Sequence, residues 1–188
     1  RRQRQMCIRD RYYGGCANLL YAVIQNVALS EKYGLSMVTV NIVMMSFVGW
    51  MWLRAAQKSR KAFTFDNMSW QTAWMIPVAL FCLWWPMDMN TALPDADWTL
   101  LLVGASGMAF CSMTPVLLVV LLLNKEADAA LLRVSAWVGL IIGMYNMANF
   151  ANGAGFYLGI YHLPLLLMSL YALLFGKRIR KEPLCLKN

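Results

Sequence analysis

Between Arg133 and Lys177 the chain runs for 43 residues, Val134 to Gly176, without one Asp, Glu, Lys or Arg. As a single helix rising about 1.5 Å per residue this run would be roughly 65 Å long, twice the hydrocarbon thickness of a bilayer. It has to turn back once, and Asn152-Gly153-Ala154-Gly155 is its only cluster of helix breakers. The run also carries Asn146, Asn149, Asn152, Tyr157, Tyr161 and His162 among apolar neighbours. Two antiparallel membrane helices with polar groups at their shared end is the arrangement that follows.

The rest of the chain has the same texture. Further uncharged runs span Tyr12–Ser30, Tyr33–Leu53, Asn67–Met87 and Trp98–Asn124, and the charges fall between or beyond them. A soluble helical bundle would instead spread charges along the outer face of each helix. Apolar residues make up 60% of the chain, above the roughly one-half usual for a soluble domain. The expectation is an all-α integral membrane protein with six transmembrane helices. Their approximate bounds are 13–29, 35–53, 70–86, 98–123, 134–151 and 156–175, in one domain over 12–188 with a basic tail, 176–188. The fourth is long enough to tilt. Pro77, Pro115 and Pro164 each remove a helical hydrogen bond and predict kinks.

Arg1–Arg11 (RRQRQMCIRDR) resembles the translated transposase adapter of sequencing libraries. It is expected to be a foreign scar on a fragment from bulk sequencing, with native sequence from Tyr12; a basic cytoplasmic tail is the alternative. Without it the formal charge falls from +8 to 12 basic against 8 acidic residues, or +4. Topology accounts for that excess, so no nucleic-acid partner is expected. The cysteines show neither metal-ligand nor disulfide spacing, and no cofactor is expected.

Orientation follows from the Lys/Arg bias of the loops. Arg54, Lys58, Arg60, Lys61, Lys125, Arg133, Lys177, Arg178, Arg180, Lys181 and Lys187 fall on one side; only Lys32 falls on the other, with Asp88, Asp95 and Asp97. Both termini are therefore expected in the cytoplasm and the chain in the inner (plasma) membrane. All eight tryptophans sit towards proposed span ends, as amphipathic indoles prefer. Gly139-x-x-x-Gly143 and Gly155-x-x-x-Gly159 predict close helix packing.

Amides inside a bilayer must bond to a neighbouring helix or line water. Tyr145, Asn149 and Asn152 share one helical face with Asn146 beside it; Asn18, Gln25 and Asn26 lie on the first span and Asn41 on the second. One reading is interhelical glue. The other is a conduit for a small polar solute, lined by Asn26, Asn41, Tyr145, Asn146, Asn149 and His162. The spans hold no carboxylate, Lys or Arg, which weighs against a proton pump and suits a channel or facilitator. An enzyme is the rival: Gly104-Ala105-Ser106-Gly107 is similar to the nucleophile motif of rhomboid intramembrane proteases. His162 lies at comparable depth, so a catalytic Ser106–His162 dyad is the alternative. A scaffold without transport is a third possibility.

Phe63 to Leu80 (FTFDNMSWQTAWMIPVAL), with Phe63, Ser69, Ala73, Ala79 and Leu80 in step, resembles the opening of the third span in the acetate uptake transporter family. Gly49-Trp50-Met51-Trp52 precedes it as a Gly-Met-Trp-Glu run does there. Asn26 and Tyr157-Leu158-Gly159-Ile160 are similar to the end of that family's first span and the start of its sixth. The family's Gly-Asn-Thr-Phe turn reads Arg60-Lys61-Ala62-Phe63 here. The resemblance implies carriage of acetate or another short monocarboxylate, six spans, and homo-oligomeric rings with a pore in each subunit. The related urea and amide channels share the plan, which leaves a neutral solute open.

Overall fold

The computed structural model describes residues 2–31, 34–58, 68–84, 86–88, 91, 93–99, 109–124, 127–151 and 156–181, with backbone only at 2–10, 30, 149 and 177–181. It is mostly helical: α1 (Arg2–Ile24), α2 (Thr39–Lys58), α3 (Trp70–Ala73), α4 (Met75–Trp84), α5 (Phe110–Leu123), α6 (Ala129–Asn146) and α7 (Phe156–Lys181). A 3-10 segment, Met147–Ala151, prolongs α6, and two short strands, β1 (Val27–Ser30) and β2 (Gly34–Met37), join α1 to α2. The chain divides into two compact units, Arg1–Phe63 and Thr64–Asn188.

In the first unit α1 and α2 pack against each other. Their backbones approach closely: a Cβ added at Gly49 would lie 3.0 Å from the Gly15 carbonyl oxygen and 2.9 Å from Leu19 Cγ. Trp52 is 2% exposed and lies against Gly14, so this indole is core, unlike the boundary position expected for it. The helix α1 continues through the string set aside as foreign, and Arg11 is buried.

The ends of the first two predicted spans are corrected. Residues 27–30 and 34–37 form an antiparallel hairpin, with Val27 opposite Met37 and Ser30 opposite Gly34. Gly34 adopts φ +69°, a backbone conformation that costs residues with a Cβ, and this lets the chain reverse. The Val38 N–H donates to the Asn26 carbonyl at 2.9 Å and closes the base of the hairpin. The branched side chain of Val27 favours extended backbone in β1. Leu29 is 86% exposed, and Leu35 and Met37 are also exposed.

In the second unit α5 packs against α4, α6 and α7, and α6 packs along α7. Its core holds Met75, Phe110, Leu118, Leu121, Leu122, Leu131, Leu165 and Met168. Asp128 caps α6, its carboxylate accepting from the Ala130 N–H at 2.7 Å and the Leu131 N–H at 3.4 Å. Gly139-x-x-x-Gly143 seats α7 as predicted: a Cβ at Gly143 would lie 3.1 Å from Leu166 Cα, and one at Gly139 would overlap Ser169 Oγ. Those pairings make α6 and α7 antiparallel, although Asn152–Gly155, the predicted turn, lies outside the described residues. Gly159 receives the Phe150 ring. Pro115 and Pro164 lie inside helices, whereas Pro77 falls in the first turn of α4, where no intrahelical N–H bond is lost; the break comes at Trp74 instead.

The Ala129–Asn146 helix and the Phe156–Gly176 part of α7 are long and apolar enough to cross a membrane. Trp70–Trp84 and Phe110–Leu123 are apolar but shorter; of the predicted fourth span, helix is described only from Phe110.

Candidate functional site

The amides of the uncharged runs turn back on their own helices. Asn18 Nδ2 donates to the Gly14 carbonyl at 2.7 Å, Asn26 Nδ2 to Ala22 at 3.2 Å, and Asn146 Nδ2 to Ile142 at 2.9 Å. His162 Nδ1 lies 2.7 Å from the Leu158 carbonyl; since a carbonyl only accepts, Nδ1 carries the proton. The cause is geometric: a helical side chain leans towards the preceding turn, and Asn and His just reach the carbonyl four residues back. Asn26 also reaches a neighbouring helix, 3.3 Å from Met45 Sδ.

Of the expected lining, Asn26 and Asn41 belong to the first unit and Tyr145, Asn146, Asn149 and His162 to the second. Asn26 is buried and Asn41 half-buried. The Gly139–Ser169 and Gly143–Leu166 pairings set a register that brings Asn146 and His162 to one level of the α6–α7 pair. His162 is 5% exposed and Asn146 half-buried. Tyr145 is 76% exposed, beside Trp137 and Ile141 on the outer face of α6. The side chain of Asn149, and Gly104–Gly107 with Ser106, lie outside the described residues, so the alternative dyad has only its His162 described.

Next to His162, Tyr161 is buried, and its ring stacks on Phe81 with centroids 6.0 Å apart. Its hydroxyl donates to the Pro86 carbonyl, which also accepts from the Asp95 N–H at 3.0 Å. The acidic loop after α4 is thereby tied down over the start of α7. Met87 pairs with Pro94, Asp88 N–H donates to the Leu93 carbonyl at 3.0 Å, and Thr91 Oγ1 donates to Asp88 Oδ2 at 2.9 Å. Trp84 stacks on Trp98 with centroids 4.4 Å apart, and its indole N–H donates to the Asp97 carbonyl at 3.2 Å. Hydrogen bonds from the Thr99 hydroxyl and N–H hold the Asp97 carboxyl below the usual carboxylate range. Sequence reasoning missed this closure, because a tyrosine bonding a carbonyl 75 residues away leaves no local pattern.

Three buried hydroxyls were also missed. Thr114 on α5, Ser135 on α6 and Ser169 on α7 are all buried, with Thr114 and Ser169 both at Gly139. The available signal was Ser135 four residues before Gly139, which extends the small-residue face of α6 by one turn. Among the described residues no group of three His, Cys, Asp or Glu side chains gathers to hold a metal.

No family model, curated protein or solved structure matches this chain.

Proposed function

We propose that the protein is a multi-pass inner-membrane protein, with six spans and both termini in the cytoplasm, that lets a small uncharged polar solute cross. The solute class is a short carboxylic acid in its undissociated form, acetic acid being the type, or an amide of similar size. One observation carries the membrane part: α6 and α7 are apolar on their outward faces as well as on their inward ones. The outward face of α7 presents Ile160, Leu167, Leu170 and Leu174, and that of α6 presents Trp137, Ile141 and Met144. Their inward faces hold Leu131, Ile142, Leu165 and Met168, with Ser135, His162 and Ser169 among them. Water would penalise that arrangement by about 25 cal/mol for each Å² of apolar surface left exposed, whereas lipid does not. Tyr145, exposed at the end of α6, then serves as a boundary anchor and leaves the lining.

The solute class rests on charge. The uncharged runs hold no cation to receive an anion, and the loop above Tyr161 is acidic through Asp88, Asp95 and Asp97. The amide hydrogens of Asn18, Asn26 and Asn146 are engaged by their own helices, which favours a solute that brings its own donors. Asn146 and His162, level with each other beneath the tied loop, are the lining residues in the second unit.

Stopped-flow light scattering of proteoliposomes tests the reading. Acetamide or urea should swell them faster than protein-free vesicles, and Asn146→Leu should slow that swelling. Sodium acetate at a pH above about 8, where the acid is dissociated, should cross no faster than through bare lipid. Equal rates with and without protein, or acetate anion outpacing the amides, would sink it.

A further inference from the structure

We infer that the groove between α4 and α5 is a binding site for one lipid acyl chain, an inference that rests on the membrane reading above. The groove encloses about 320 Å³ and has no polar lining atom. Ile76, Ala79 and Leu80 form one wall and Val116, Val120 and Leu123 the other, with Met68 at one end. The residues from 76 to 83 and from 116 to 123 each cover about 11 Å of helix, so the groove is a trough along the helix axes. In a spanning helix pair such a trough runs across the leaflet, the direction in which lipid tails lie.

Shape and lining favour the occupant. A trough of about 320 Å³ without polar lining takes a hydrocarbon tail along its length, and it offers no hydrogen-bonding group to the polar rim of a partner protein. The Met68 end also has the chemistry of a headgroup boundary. Trp70, two residues on, is 88% exposed, and an indole so placed belongs at the level where tails meet headgroups. With both termini inside, that end faces the cytoplasm, so the tail comes from an inner-leaflet lipid. Branched and small side chains on both walls leave room for it: Ala79 is the smallest lining residue, and Val116 and Val120 stand half-buried at the rim.

The test uses the full chain in nanodiscs of phosphatidylcholine carrying a photoactivatable diazirine in one acyl chain, with adducts mapped by peptide mass spectrometry. The exposed face of α6 at Trp137, Ile141 and Met144 reports ordinary contact with bulk lipid. Adducts on 76–83 and 116–123 should exceed those on the α6 face by about threefold, as a handful of added van der Waals contacts would give. Val120→Phe fills the trough and should lower its adducts to the α6 level while leaving α6 unchanged; Val116→Phe should do the same from the other end. Groove adducts no more abundant than those on α6, or unmoved by both substitutions, overturn the site while leaving the membrane reading intact. Adducts absent from groove and α6 alike overturn both. Photo-adducts between two copies in place of lipid adducts would give the groove to a partner chain and also overturn the inference.

Discussion

Gly139→Ala should destabilise the protein even though alanine is the better helix former. Replacing a helical glycine gains about 1 kcal/mol from backbone propensity. Here the new Cβ would overlap Ser169 Oγ and lie 3.2 Å from Thr114 Cγ2 and 3.3 Å from Leu165 Cδ1. The one true overlap is with Ser169 Oγ, and because three helices meet at that point the hydroxyl has little room to turn away. Overpacking of this kind costs about 1–3 kcal/mol, which leaves a net loss of up to roughly 2 kcal/mol. Ser169→Ala removes the offending oxygen and, with it, a buried hydroxyl that has no hydrogen-bond partner among the described residues. That single change should be neutral or stabilise by up to about 1 kcal/mol. The double variant should recover most of what Gly139→Ala loses, a coupling of roughly 1–2 kcal/mol. The assay is loss of helical circular dichroism in mixed micelles titrated with a denaturing detergent, run on all four members of the cycle. If Gly139→Ala stabilises by its propensity gain, or the two effects simply add, α6 and α7 do not meet through this pair and the register used to align Asn146 with His162 is wrong.

Gly49→Ala in the first unit should cost about 1–3 kcal/mol in the same assay, because its Cβ meets the Gly15 carbonyl oxygen, a backbone atom that cannot rotate away. Tyr161→Phe should cost about 1 kcal/mol locally and raise amide hydrogen exchange over residues 86–97 by about fivefold, with α6 unaffected. Asp97 titrates below the usual carboxylate value, so its contribution to loop closure is complete above the unfolded pKa of about 3.9 and is lost as pH falls through the lower folded value. The exciton circular dichroism of the Trp84–Trp98 pair should therefore weaken only in acid, and in Asp97→Asn it should no longer depend on pH over that range. Trp98→Ala should abolish the couplet at every pH.

The paired helices α6 and α7 were legible because two independent signals agreed: an uncharged run too long for one span, and glycines four apart on α6. The β1–β2 hairpin was not. Within Val27–Ser30 and Gly34–Met37 the side chains are apolar or small on both faces, so neither a 3.6-residue nor a two-residue period stands out, and a strand reads like more helix. Glu31-Lys32, which part the two uncharged runs, and Gly34 marked the reversal. For the site, spacing located the polar positions along the helices but not where their side chains point. An Asn that binds its own carbonyl and an Asn that reaches a neighbouring helix occupy the same place in a sequence. The exposure of Tyr145 was hidden for the opposite reason: a helical face shared with Asn149 fixes direction about the axis, but what lies in that direction depends on where α7 packs.

The β1–β2 ribbon has a consequence for depth. Both of its outer rims present main-chain N–H and C=O groups to the surroundings, and in oil each unmatched group is heavily penalised. Leu29, Leu35 and Met37, turned outward, resist the opposite displacement into bulk water. On the membrane reading proposed above, a ribbon refused by both phases settles where the phases meet, wet along its rims and oily on its flanks. Like a waterline painted on a hull, it would fix how far α1 and α2 can sink.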